Sequence, residues 1–137
     1  MSNRRNIDIL GKIVNYCDEI ADTIQHFGDT FDKLEASKIY KNAAAMCVLQ
    51  IGELAGHLSE DFRAAYPEMP WRNMRGMRNI AAHRYGDFDL ETLWGTITVS
   101  IPALSDYCSK IITQHEILQQ DCIEEIELDE EIEQTIV

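Results

Sequence analysis

Apolar residues recur every three or four positions along most of this chain, the spacing of helices that each bury one face. In the first such segment Leu10, Ile13, Cys17, Ile20, Ile24 and Phe27 keep the rhythm, and Gly28 marks where the helix should stop. A polar connector follows. Tyr40, Ala44, Cys47, Ile51, Leu54 and Leu58 form a second seam, in which the run AAAMCVLQ supplies small side chains that let helices approach closely. Ser59 is placed to cap a short helix reaching about Tyr66, and Pro67 and Pro70 in PEMP force an extended turn before Trp71. A third long helix is expected from about Trp71 to His83, with Met74, Met77, Ile80 and Ala81 as its apolar stripe and Gly86 where the chain can turn. Asp89 is the N-cap candidate for a fourth, whose seam runs Leu90, Trp94, Ile97, Ile101, Leu104, Cys108 and Ile111. Pro102 interrupts that helix sterically without breaking its register, which predicts a kink.

No run of alternating strands, no repeat and no glycine-rich phosphate loop is visible. The pattern therefore predicts an all-α fold: an antiparallel up-and-down bundle of four principal helices plus a short helix, spanning residues 1–115. Residues 116–137 are a separate acidic C-terminal tail. Their sequence, EILQQDCIEEIELDEEIEQTIV, mixes aliphatic and acidic residues and reads as a solvated helix extension that frays into a disordered end. A sharper reading has this tail dock on a basic surface and mimic nucleic acid.

A chain of 137 residues suits one domain with a core of its own. The N-terminus, MSNRRNIDILGK, has basic residues but no apolar stretch of signal-peptide type, and the longest uncharged run, Thr92 to Ser105, is short of the ~20 residues of a membrane span. A soluble cytoplasmic protein is the expectation. The cysteines at 17, 47, 108 and 122 form no C-x-x-C pair, so buried or partly buried reduced thiols are expected in place of a zinc ribbon or dithiol redox site. The histidines at 26, 57, 83 and 115 lack ligand spacing. Glu53 and His57 share a helix face, but two groups fall short of a metal site, and no metal or cofactor is expected.

The net charge of −12 argues at first against a polyanionic partner. Its placement changes that picture. From Glu116 onward there are nine acidic residues and no Lys or Arg, whereas residues 1–110 hold 12 basic against 15 acidic groups, a net of −3. Four of the twelve basic residues, Arg72, Arg75, Arg78 and Arg84, fall within thirteen positions beside His83. At ~100° per residue Arg72, Gly76, Asn79 and His83 share one helical stripe, and Arg75, Arg78, Ala82 and Tyr85 the adjacent one. Asn79 is one turn before His83 and can orient its imidazole. Arg78 and His83, five apart, diverge by about 140° and rise about 7.5 Å on a straight helix. One chain alone converges them poorly, whereas a two-fold dimer brings each protomer's Arg and His to one cleft.

Such a cleft suits a phosphodiester. A histidine with a pKa near ~6.5 can take a proton from a ribose 2′-hydroxyl or give one to a leaving 5′-oxygen. Arginine stays charged and can grip phosphate oxygens as charge builds in the transition state. RNA supplies its own nucleophile, so this chemistry requires no metal. Arg72, Arg75 and Arg84 are RNA-binding candidates, and Tyr85 offers a ring on which a base can stack. The plainer reading of the same residues is a solvated or ion-paired helix face.

The run RNIAAHRY has the form R-x4-H-x-Y, and it resembles the motif of the HEPN superfamily. Its setting, LQIGELAGHLSEDFRAAYPEMPWRNMRGMRN, then GDFDLETLW and a later IPAL, is similar to HepT-like toxins of HepT–MntA toxin–antitoxin pairs over about residues 5–113. The resemblance implies a homodimeric, metal-independent endoribonuclease toxin of a type VII-like system, with Arg78 and His83 as the catalytic pair and Asn79 in support. It also implies that a partner MntA-like nucleotidyltransferase silences the toxin by transferring AMP from ATP to Tyr85. The tail lies outside the resemblance. Two readings from other classes stand beside this one: a non-catalytic helical dimer that serves a nucleotidyltransferase as nucleotide-binding or adaptor partner, and a four-helix metal or ligand carrier, for which the paired Glu and Glu-x-x-His ligands are missing.

Overall fold

A computed structural model describes residues 2–69, 71, 74 and 90–136 of the chain. Every element among them is helical: α1 (Ser2–Phe27), α2 (Phe31–Ala36), α3 (Lys38–Gly56), α4 (Glu60–Ala65), α5 (Leu90–Gly95), a π turn (Thr96–Ser100) and α6 (Ile101–Ile136). Trp71 and Met74 are helical too, where the third long helix was expected to begin. The remainder of that helix and the Asp89 cap lie outside the described residues. The all-α fold is as the periodicity predicts.

Two side-chain ties show that α1 and α3 run antiparallel. At one end the Tyr40 hydroxyl donates to the Gly28 carbonyl at 3.1 Å. At the other, Asn6 and Ser59 bond reciprocally: Asn6 Nδ2 donates to Ser59 Oγ at 3.0 Å, and the Ser59 amide donates to Asn6 Oδ1 at 3.1 Å. α6 is antiparallel to α1 as well, since its start (Ile101, Pro102, Ser105) faces Cys17–Ile24 while Ile111, His115 and Leu118 face Asn3 and Ile7. α1 is thus the central helix, packed on α3 and on α6.

The predicted seams form the core. Leu10, Ile13, Cys17 and Ile20 of α1 meet Tyr40, Ala44, Cys47, Val48 and Ile51 of α3 and Leu104, Cys108 and Ile111 of α6, all buried. α1 ends where expected, because Gly28 takes φ +120°, a conformation that L side chains rarely adopt. Ser59 caps α4 by accepting from the Phe62 amide at 3.2 Å.

The first helix begins at Ser2, eight residues before the first seam residue Leu10, and Asn6 in its early turns is buried through its bonds to Ser59. Three expectations are corrected. The polar connector contains the helix α2: Thr30 caps it, and its single apolar anchor Leu34 is fully buried against the core. The tail is the solvated helix extension expected, but without the fraying: α6 continues unbroken to Ile136. Cys122 is exposed, unlike the three buried thiols, because it lies on that extension.

Pro102 has a particular consequence. It has no amide hydrogen for the Thr98 carbonyl, and its ring would crowd that carbonyl in an α-helix. The chain widens into the π turn just before it, with the Ile101 amide donating to Thr96 O, five residues back. The Thr96 and Thr98 hydroxyls donate to Thr92 O at 2.8 Å and Trp94 O at 2.6 Å. The seam survives the change, and Ile97 and Ile101 both stay buried.

Candidate functional site

Arg72, Arg75, Arg78, Asn79, His83, Arg84 and Tyr85 all lie outside the described residues. What the structure defines is the framework that delivers the chain to them and takes it away. On the entry side α4 sets the geometry: Phe62 is buried, and its ring stands 4.8 Å from Tyr66 and 6.2 Å from Trp71. The Trp71 indole Nε1–H donates to the Tyr66 carbonyl at 2.9 Å, and its amide donates to Met69 O at 2.8 Å. Trp71 and Met74 are both core residues. A large ring with its one polar atom satisfied is a strong anchor, because it buries much apolar area without stranding a donor.

α6 braces the same corner. The Tyr107 hydroxyl donates to Glu68 Oε2 at 2.7 Å, and the Tyr107 ring meets Tyr66 edge to face at 6.4 Å. The Tyr107 pKa is pushed up to about 12, by burial first and then by this bond to Glu68. The same bond holds the Glu68 carboxylate below its usual range. No spacing rule in the sequence links positions 68 and 107, so this contact was not legible beforehand. On the exit side the chain resumes at Leu90, packed on the core, followed by fully buried Leu93 in α5. The motif-bearing residues 75–89 are therefore joined at both ends to side chains fixed in the core.

Away from this region a cavity of about 460 Å³ lies between α1 and the π turn, lined by Cys17, Asp18, Ile24, Asp29, Ile97 and Thr98 among others. No residue spacing in the sequence announces it. The Cys17, Cys47 and Cys108 thiols are each pushed up to about 12, burial being the largest cause, so they stay protonated and chemically quiet at neutral pH. Among the described residues no group of three or more His, Cys, Asp or Glu is placed to hold a metal ion. Nor is any helix among them long and apolar enough to cross a membrane.

A helical bundle that fixes both ends of an Arg- and His-bearing segment defines the class. Within that class, the chain belongs to the family described as ribonuclease HepT-like, which it matches over residues 13–111. The match includes the whole R-x4-H-x-Y run and stops short of the acidic tail. A protein of Methanocaldococcus jannaschii named as a putative RNase is 30% identical over 100 residues, 73% of this chain and 81% of that protein. The protein named probable ribonuclease HepT of Thermococcus cleftensis is 29% identical over 102 residues, 71% of this chain and 93% of its own length. A third, named as a putative RNase of Caldanaerobacter subterraneus, is 25% identical over 103 residues, 75% of this chain and 90% of that protein. No solved structure matches.

Proposed function

We propose that this HepT-like protein is a metal-independent endoribonuclease of the cytoplasm, the toxin of a toxin–antitoxin pair, working as a homodimer. The observation that carries the proposal is the arginine-rich R-x4-H-x-Y run, Arg78 to Tyr85, inside the part of the chain that matches the family. His83 takes the proton from a ribose 2′-hydroxyl. The freed oxygen attacks the adjacent phosphorus, and Arg78 balances the charge that grows on the phosphate oxygens. The bond to the 5′-oxygen breaks, that oxygen gains a proton, and a 2′,3′-cyclic phosphate is left. Two-fold pairing supplies the convergence that a five-residue separation denies within one helix. Arg72, Arg75 and Arg84 add positive charge along the RNA, and Asn79 orients the imidazole.

Tyr85 is the control point in this reading. A partner nucleotidyltransferase transfers AMP from ATP to its hydroxyl, releasing pyrophosphate. A phosphate placed beside the cleft then repels the RNA phosphate and occupies its room. Expression in cells tests the enzyme against the rival of a non-catalytic adaptor. Growth arrest that disappears in both Arg78→Ala and His83→Ala supports the nuclease; arrest that persists in both supports the adaptor. Incubation with the nucleotidyltransferase and ATP, followed by intact mass measurement, tests the switch: addition of AMP to the wild type and none to Tyr85→Phe is expected.

A further inference from the structure

The last stretch of α6 is unlike the rest of the surface. All residues from Glu116 to Gln134 are exposed. Of the nine large hydrophobic residues that stand out as exposed among the described residues, six lie here: Ile117, Leu118, Ile123, Ile126, Leu128 and Ile132. At ~100° per residue Leu118, Cys122 and Ile126 fall on the face that carries Leu104, Cys108 and Ile111 of α6 into the core, with Ile123 at its edge. The core seam of α6 thus continues past the bundle as far as Ile126, with Leu118 64% and Ile126 58% exposed. Ile117, Leu128 and Ile132 project from other sides of the helix, and Asp129 and Glu133 take the next seam positions. Leu118 borders Asn3 and Ile7 at the start of α1.

Charge selects what can cover this face. The segment carries nine carboxylates and no Lys or Arg. A second copy of the same helix would bring nine more, and RNA or an anionic membrane would be repelled in the same way. A basic protein surface with an apolar furrow answers both features at once, by laying the helix face in the furrow and setting cations against the flanking acids. We propose that residues 116–134 form a docking helix for a protein partner that presents an apolar groove bordered by Lys and Arg. This surface shares no residue with the Arg78 and His83 pair and stands whether or not that pair cuts RNA.

The test uses the full chain and a defined probe. The probe is a labelled helical peptide with Leu at the a and d positions of its heptads and Lys elsewhere; its control has the same composition with the Leu residues out of register. Binding is followed by fluorescence anisotropy at rising salt, with circular dichroism confirming that each variant is folded. The in-register peptide is expected to bind with an affinity that falls as salt rises and to lose at least about ten-fold, ~1.4 kcal/mol, in a Leu118→Asp, Ile126→Asp double variant. Both positions are exposed, so the fold should tolerate the changes. Equal binding of the two peptides, or full binding by the double variant, overturns the proposal by reducing the surface to unspecific charge. Sedimentation that shows self-association of the chain, abolished by the same double variant, overturns it in favour of a second copy.

Discussion

Asn6 is one of two buried polar side chains among the described residues and is only 2% exposed. Its amide is satisfied in both directions by Ser59, as donor to the hydroxyl and acceptor from the backbone N–H. One side chain therefore pins the first turns of α1 to the junction between α3 and α4, and so helps to set where the chain leaves for the motif. Asn6→Ala strands the Ser59 amide and is expected to cost about 1–3 kcal/mol in urea unfolding. A double-mutant cycle with Ser59→Ala should show coupling, since the two share bonds; strict additivity would contradict this account. The buried thiols make a second prediction at this scale. Cys17, Cys47 and Cys108 are each raised from 9.0 to about 12 in the folded chain. Between these values the unfolded chain has lost thiol protons that the folded chain retains, so unfolding becomes easier as pH rises. Stability should be full below about pH 9 and should fall toward pH 12, and Cys→Ala variants should flatten that slope. A slope unchanged when all three are replaced would contradict the burial argument.

At the scale of elements, the corner built by α4, Trp71 and α6 matters most because it hands the chain to the segment that holds the R-x4-H-x-Y run. Trp71→Ala removes a buried ring and should cost about 3–5 kcal/mol of stability. Trp71→Phe keeps most of the ring but leaves the Tyr66 carbonyl without its indole donor, so a smaller loss, about 1 kcal/mol, is expected. Nuclease activity per folded molecule should fall in Trp71→Ala, because the entry to residues 75–89 is no longer fixed. Undiminished activity of the folded fraction would show that the corner supports the fold alone. The helices themselves were readable from their seams, since a three-four rhythm reports a buried face directly. The misses have physical reasons. Helix α2, FDKLEA, is six residues with Leu34 alone buried, too short to repeat a three-four rhythm, and the first turns of α1 are held by a buried amide that hydrophobic periodicity does not register. The π turn follows from Pro102, yet a proline announces a disturbance without saying whether the backbone bends or widens.

For the whole molecule, charge is divided unevenly between two regions of the sequence. The bundle is nearly neutral and gathers arginines around one segment, while the helix past His115 carries nine acids and no base. An overall charge of −12 therefore says little about the local field where RNA would bind. The run RNIAAHRY states a local motif, Arg, His and Tyr at a set spacing, and from it the chemistry of the candidate site is proposed. How Arg78 and His83 would converge is not legible in it, because a five-residue separation points them apart on one helix and the proposed cleft belongs to two chains. The central claim rests on that pair. Its most direct test is incubation of purified protein with end-labelled RNA in the presence of a chelator, followed by analysis of the new ends. Cleavage by the wild type to 2′,3′-cyclic phosphate ends, reduced at least about 100-fold in His83→Ala, is the predicted result. Equal cleavage by wild type and His83→Ala would contradict it.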